Sequence, residues 1–190
     1  MAYLALIRHG LSEYNKKGLW TGWLDPELVP EGVEEAKRAA EQLKDIDFDY
    51  GYTSPLKRAR QTLEEIKKVL HKENLPTAQN PALNERNYGD FSGKNKWEIK
   101  KQLGEEEFKK LRRSWDYHIP NGESLKQVYE REIPYFEQEI LPKLKEGKNS
   151  IWGIATDKAG NTSWESPRIT IYSDKEPPPL EKPRPKPVKI

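Results

Sequence analysis

The stretch "FDYGYTSPLKRARQTLEEIKKVL", residues 48–70, sets a short apolar run directly against a strongly signalled helix. Residues 48–53 read as a strand. After them Ser54 is expected as N-cap and Pro55 as the first helical residue, with Leu56, Ala59, Leu63, Ile66 and Val69 along one face. The same succession stands upstream. "YLALI" (3–7) reads as a buried strand arrested at Arg8. From Pro30 the positions Val33, Ala36, Ala40, Leu43 and Ile46 recur at helical spacing, with Glu31, Glu34 and Glu35 suiting a helix start. Further on, residues 96–115 read as amphipathic helix broken near Gly104. Residues 124–145 read as a long helix with Leu125, Val128, Tyr135, Ile140 and Leu144 inward, bent or interrupted at Pro134 and Pro142. Strand and helix alternating in this way predict an α/β fold, a sheet with helices on its faces.

The pattern changes near residue 150. Two short strands are expected around Ile151–Ala155 and Arg168–Tyr172, joined by a loop carrying Asp157, Gly160, Asn161 and Ser163. The last stretch, "KEPPPLEKPRPKPVKI", is proline-rich and basic, and reads as a linker or disordered end in preference to a ligand for a proline-recognising domain. The chain therefore divides into an α/β domain over 1–149, an atypical β segment over 150–174 and a tail over 175–190. At 190 residues it is long enough for a sizeable core. A net charge of +2 argues against coating a polyanion, so no nucleic-acid partner is expected. No cysteine and only three histidines leave no metal site to expect. "MAYLALIRHG" lacks a basic leader and is too short for a membrane span, so a cytoplasmic protein without membrane contact is expected.

His9 directly follows the first strand, which places it in the crevice at the strand's carboxyl end, where open α/β sheets bind ligands. Taken alone, a strand-end histidine is more often structural than catalytic. Gly10 would let a bound group approach the backbone, and Arg8 offers a planar fork suited to phosphate. Ser12 and Asn15 add hydrogen-bonding groups, followed by Thr21 and Gly22. Arg58, in the first turn after the second strand, belongs at the same crevice. Glu85, in "LNERNYGDFSG" beside Arg86, reads either as an acid/base or as one half of a surface ion pair. Lys96, Arg112 and Arg113 add cationic donors. One nucleophile candidate, one carboxylate and several cations are the equipment for phosphoryl transfer, which needs little beyond positioning and charge neutralisation.

"LIRHGLSEYN", "TGW", "TSPLKRARQT", "LNERNYG", "GKNK", "RRSWD" and "NGESL" stand in the order found in the histidine phosphatase superfamily. The chain most resembles its cofactor-dependent phosphoglycerate mutases, over roughly residues 3–149. The resemblance implies a three-layer α/β/α sandwich with a mostly parallel sheet. It implies that His9 becomes phosphohistidine, that Glu85 moves the substrate hydroxyl proton, and that Arg8 and Arg58 clamp the phosphoryl group with Asn15 alongside. Gly10, Ser12, Thr21, Gly22, Arg86, Tyr88, Lys96, Arg112, Arg113 and Asn161 would line the substrate site. The implied reaction interconverts 3-phosphoglycerate and 2-phosphoglycerate in glycolysis and gluconeogenesis. The implied cofactor is 2,3-bisphosphoglycerate, which primes His9, and the implied partner is a small phosphorylated substrate. A homo-oligomer is left open.

Two departures stand against the family pattern. Asn87 replaces the histidine of its E-R-H-Y stretch, a change between hydrogen-bonding side chains. More seriously, the family's second histidine, in "A-H-G-N-S", is missing. No histidine follows His118, and Thr156 stands where it is expected. Losing one preorganised transition-state donor typically costs about 10²–10³ in rate. Residues 151–173 instead resemble the closing strands of bacterial immunoglobulin-like or fibronectin-like repeats, through an "A-x-D-x-A-G-N-x-S" turn. A fused or altered C-terminus and true divergence both account for this. Alternative functions are a broad phosphomonoesterase and a non-catalytic relic that binds phosphorylated ligands. His118 is a remote candidate to replace the lost group.

Overall fold

The computed structural model describes residues 2–154 and 169–173. Its elements run β1 (Tyr3–Arg8), α1 (Glu13–Lys16), α2 (Pro30–Glu41), β2 (Tyr50–Thr53), α3 (Lys57–Val69), β3 (Thr77–Gln79), α4 (Lys96–Leu103), α5 (Glu105–Arg113), α6 (Leu125–Tyr135), α7 (Leu141–Lys145), β4 (Ser150–Ile154) and β5 (Ile169–Ser173). The sheet order is β3-β2-β4-β1-β5. β1, β2, β3 and β4 run parallel, and β5 lies antiparallel on β1 with Ile7 opposite Ile169. β4, beyond the boundary drawn at residue 149, is thus a central strand of the same sheet. Asn161, Thr156, the expected loop and the proline-rich tail lie outside the described residues.

Alternation along the strands makes the three layers. Ala5, Ile7 and Ile151 face α2 and α3, packing with Ala39, Ala40, Leu43, Leu63 and Ile66. Leu4, Leu6, Tyr50 and Tyr52 face the other way, against Tyr135, Phe136, Ile140 and Leu144. A period of two in the strands and of 3.6 in the helices is what lets both faces be covered at once. A separate cluster caps the carboxyl edge of the sheet. There Trp20 is fully buried among Tyr88, Ile99, Phe108, Leu111 and Ile119.

Several boundaries differ from the sequence expectation. α3 begins at Lys57, and Ser54 is not its cap. The cap comes from a distant loop, where the Asp25 carboxylate accepts the Lys57 amide at 2.6 Å. Ser54 is instead fully buried at the end of β2. The long C-terminal helix is interrupted between its two prolines, by a π turn over Phe136–Ile140. Prolines 134 and 142 remove two amide donors, and the ladder re-forms with Leu141 N–H reaching Phe136 O. Of the residues expected inward only Ile140 is fully buried, the others being half-buried. Gly104 does break the preceding pair, at φ +79° between α4 and α5.

Gly10 has a different reason from the one read in the sequence. A Cβ there would lie 2.1 Å from Gly32 O, and a Cβ on Gly32 would lie 2.1 Å from Leu11 O. The two glycines let the first turn of α2 press against the segment leaving β1. The contact is fixed by Val29 N–H to Leu11 O at 3.0 Å and Leu11 N–H to the Glu35 carboxylate at 2.8 Å. Glycine-to-alanine inside a helix ordinarily gains about 1 kcal/mol. Gly32→Ala is expected to reverse that sign and lose about 3 kcal/mol, read as a lower urea midpoint.

Candidate active site

The carboxyl ends of β1 and β2 bring His9 and Arg58 together, with Glu85 reaching them from the loop after a 3₁₀ turn at Pro81–Leu83. All three are buried, Arg58 completely. His9 Nδ1 lies 2.6 Å from Gly10 O, and Arg58 Nε lies 3.3 Å from His9 Nε2. A carbonyl only accepts, so Nδ1 carries the proton. The Arg58 N–H only donates, so Nε2 presents its lone pair. His9 is therefore fixed as the neutral tautomer with Nε2 as the nucleophilic atom.

Electrostatics favour the same form. Burial, the charge of Arg58 and that of Arg8 hold the imidazolium well below its usual pKa; the Gly10 bond opposes them, and Lys96 adds a further lowering. The unfolded chain takes up a proton near pH 6.5, while folded His9 resists it to lower pH. The folded state thus binds fewer protons below pH 6.5, and stability falls as pH drops through that value, by at most about 1.4 kcal/mol per pH unit. Urea midpoints at neutral and mildly acidic pH check this. A His9→Gln variant is expected to flatten that part of the profile.

Arg58 is anchored on every side. Its Nη1 donates to Leu24 O at 3.0 Å, and its Nη2 to Gly22 O and the Glu85 carboxylate, both at 2.8 Å. The buried Arg58–Glu85 pair argues against the surface-ion-pair reading of Glu85. Thr62, one turn further along α3, accepts the Gly10 N–H at 3.1 Å and donates to Arg58 O at 2.7 Å, tying the two strand ends together. Ser12 caps α1 by accepting the Asn15 N–H, and Thr21 Oγ1 donates to Asn15 Oδ1 at 3.3 Å.

The remaining expected residues form a cationic, aromatic wall. Tyr88 packs on Trp20 at 4.4 Å between ring centroids, Arg86 lies over Tyr88, Lys96 over Trp20 and Arg112 over Phe108. Arg86 also caps the C-terminus of α5, its Nη2 donating to Leu111 O at 3.1 Å. Arg8 Nε and the Arg86 Nε and Nη1 atoms are buried without a hydrogen-bond partner among the described residues. Such unpaired cationic donors suit a small polyanion. Arg113 is exposed at the end of α5, and His118 is exposed on the following loop, so neither joins the buried group. Asn87 holds its own turn through Gly89 N–H to Oδ1 at 2.9 Å. Trp20, Thr62 and Arg131 carry no signal in the sequence, because an aromatic, a threonine or a helical arginine is unremarkable until its neighbours are known.

A model of the histidine phosphatase superfamily (branch 1) matches residues 4–152. The chain belongs to this superfamily. Among curated relatives, this chain is 49% identical over 150 residues to the 2,3-bisphosphoglycerate-dependent phosphoglycerate mutase of Bradyrhizobium diazoefficiens, covering 78% of this chain and 72% of that one. It is 48% identical over 147 residues to the enzyme of that name from Parvibaculum lavamentivorans, covering 76% and 70%. A crystal structure of phosphoglycerate mutase from Bacillus anthracis superposes with a TM-score of 0.74 at 24% identity, over 91% of this chain and 88% of the other. A mycobacterial glucosyl-3-phosphoglycerate phosphatase superposes at 0.71 and 22% identity, over 81% and 75%. The two structures establish the α/β fold. Among the described residues no helix is long and apolar enough to cross a membrane.

Proposed function

We propose that this chain is a phosphoglycerate mutase that interconverts 3-phosphoglycerate and 2-phosphoglycerate in the cytoplasm through a phosphohistidine at His9. The observation that carries the reading is the fixed tautomer of His9, with an unprotonated Nε2 beside a buried guanidinium–carboxylate pair. The relatedness to curated mutases supports the choice of substrate. When bound, 2,3-bisphosphoglycerate supplies the phosphoryl group that primes His9. The unpaired Arg8 and Arg86 donors, with Lys96, are the residues that would hold its charge.

The chain's own groups divide the work. Nε2 forms the P–N bond while Nδ1–H, held on Gly10 O, keeps the ring aligned. Arg58 carries the phosphoryl charge, releasing its long contact to Nε2 as the P–N bond forms. Glu85 takes the proton of the attacking substrate hydroxyl and returns it to the departing oxygen in the reverse step. Arg112 retains the second acidic group of the substrate while it reorients.

The test is product analysis. With 3-phosphoglycerate and catalytic bisphosphoglycerate, the 2-isomer is expected, at a rate lowered by the missing second histidine. Release of free phosphate instead would make the chain a phosphomonoesterase. Thermal stabilisation by ligand with no labelling of His9 would make it a binding relic.

A further inference from the structure

Glu85 sits where no helix or strand can hold it. The segment Asn84–Tyr88 runs between two short 3₁₀ turns, Pro81–Leu83 and Gly89–Phe91, and its backbone must be fixed by something else. Two side chains converge on the Glu85 carbonyl itself. Trp23 Nε1–H donates to it at 2.8 Å, and Arg131 Nη2 donates at 3.1 Å, which fills both acceptor sites of that oxygen.

Both donors are themselves fixed. Arg131, on α6, also donates to Ala82 O at 2.7 Å and Asn84 O at 2.8 Å. Its guanidinium is gripped by both Glu123 oxygens, at 2.8 and 3.1 Å, and Glu123 accepts the Asn87 amide at 2.8 Å. Trp23 is 45% exposed, so core packing does not account for its orientation. Its two neighbours are the residues whose carbonyls, Gly22 and Leu24, hold Arg58. The tripeptide Gly22–Trp23–Leu24 therefore spans the two halves of the buried ion pair. It holds the arginine through main-chain oxygens and the glutamate through an indole.

We propose that Trp23 and Arg131 are positioning residues for the Glu85 carboxyl, acting together through its main-chain carbonyl. The proposal rests on Glu85 being the proton carrier. In priming, Glu85 takes up a proton from water as the incoming phosphoryl group replaces it on Arg58. The P–O bond of the donor then breaks, the P–N bond to His9 forms, and that proton passes to the departing oxygen. A carboxyl displaced by an ångström slows this transfer about a hundredfold, and partial loss of one support slows it less. A donor whose leaving group departs as a stable anion needs no such proton.

The experiment compares the rate of His9 phosphorylation by 2,3-bisphosphoglycerate with that by acetyl phosphate, in the wild type, Glu85→Gln, Trp23→Phe and Arg131→Lys. Trp23→Phe keeps an aromatic ring at this exposed position and removes the N–H along with the five-membered ring, so it tests the idea even if Arg131→Lys folds poorly. Trp23→Phe is expected to slow labelling by the bisphosphate about tenfold and to leave labelling by acetyl phosphate nearly unchanged. Arg131→Lys is expected to act in the same direction, and Glu85→Gln to show the same selectivity most strongly. Equal slowing with both donors, or none, in Trp23→Phe overturns the positioning role while a selective Glu85→Gln leaves the proton carrier standing. An unselective Glu85→Gln overturns the proton carrier, and the positioning role with it.

Discussion

His9→Ala is expected to abolish phosphoenzyme formation and to lower turnover by a factor on the order of 10⁴ or more, as removal of a nucleophile does in other covalent enzymes. The size follows from the absence of a substitute in reach. His71 and His118 are the only other histidines of the chain, and both are exposed. The decisive measurement is acid-labile, base-stable phosphate on the protein after incubation with 2,3-bisphosphoglycerate. It is expected in the wild type and absent from His9→Ala. Labelling that survives in His9→Ala would move the nucleophile elsewhere and remove the mechanism proposed above. The substitution also withdraws the acceptor of the Arg58 Nε–H. The protein is thus expected to lose some stability while keeping its fold, which circular dichroism separates from the loss of labelling.

Much of this arrangement is legible in the sequence, for a physical reason. Strand and helix periodicities are local, so "YLALI" and the helix after Pro30 can be read from spacing alone. In a parallel sheet the strand ends share one edge, so strand order along the chain is enough to put His9 and Arg58 together. The features that mislead depend on contacts far apart in the chain. Ser54 has the look of a cap because serine before proline is a cap signal, yet Asp25, thirty-two residues before Lys57, supplies the oxygen. Gly10 has the look of an opening for a ligand, yet Gly32 fills that space. The supports of Glu85 are invisible in the sequence for the same reason. Arg131 lies 46 residues from the carbonyl it holds, and nothing in its helix distinguishes it from a solvated arginine. Ser124 and Gln127 are a local signal that the sequence reading passes over, an S-x-x-Q pattern that forms a complete capping box at the start of α6.

Arg58→Met is expected to destabilise the fold by about 3–5 kcal/mol, the usual result of removing one member of a buried ion pair. For a domain of this size that lowers the melting temperature by roughly 10 °C. Methionine fills much of the space but donates nothing. The Glu85 carboxylate loses its buried guanidinium, and the Gly22 and Leu24 carbonyls lose their donors. His9 loses the second-largest influence lowering its pKa, which then rises toward the ordinary value while burial still holds it below. Adding Glu85→Gln removes the stranded charge, so the double variant is expected to melt higher than Arg58→Met alone, although both are inactive. Additive losses in the double variant would mean that the pair is held in place by its surroundings and contributes nothing by its own attraction. Recovery in the double variant would show that a full charge is stabilised at this depth only by its partner. That is the condition Arg58 must meet if a phosphoryl group is to take the place of Glu85 during the reaction.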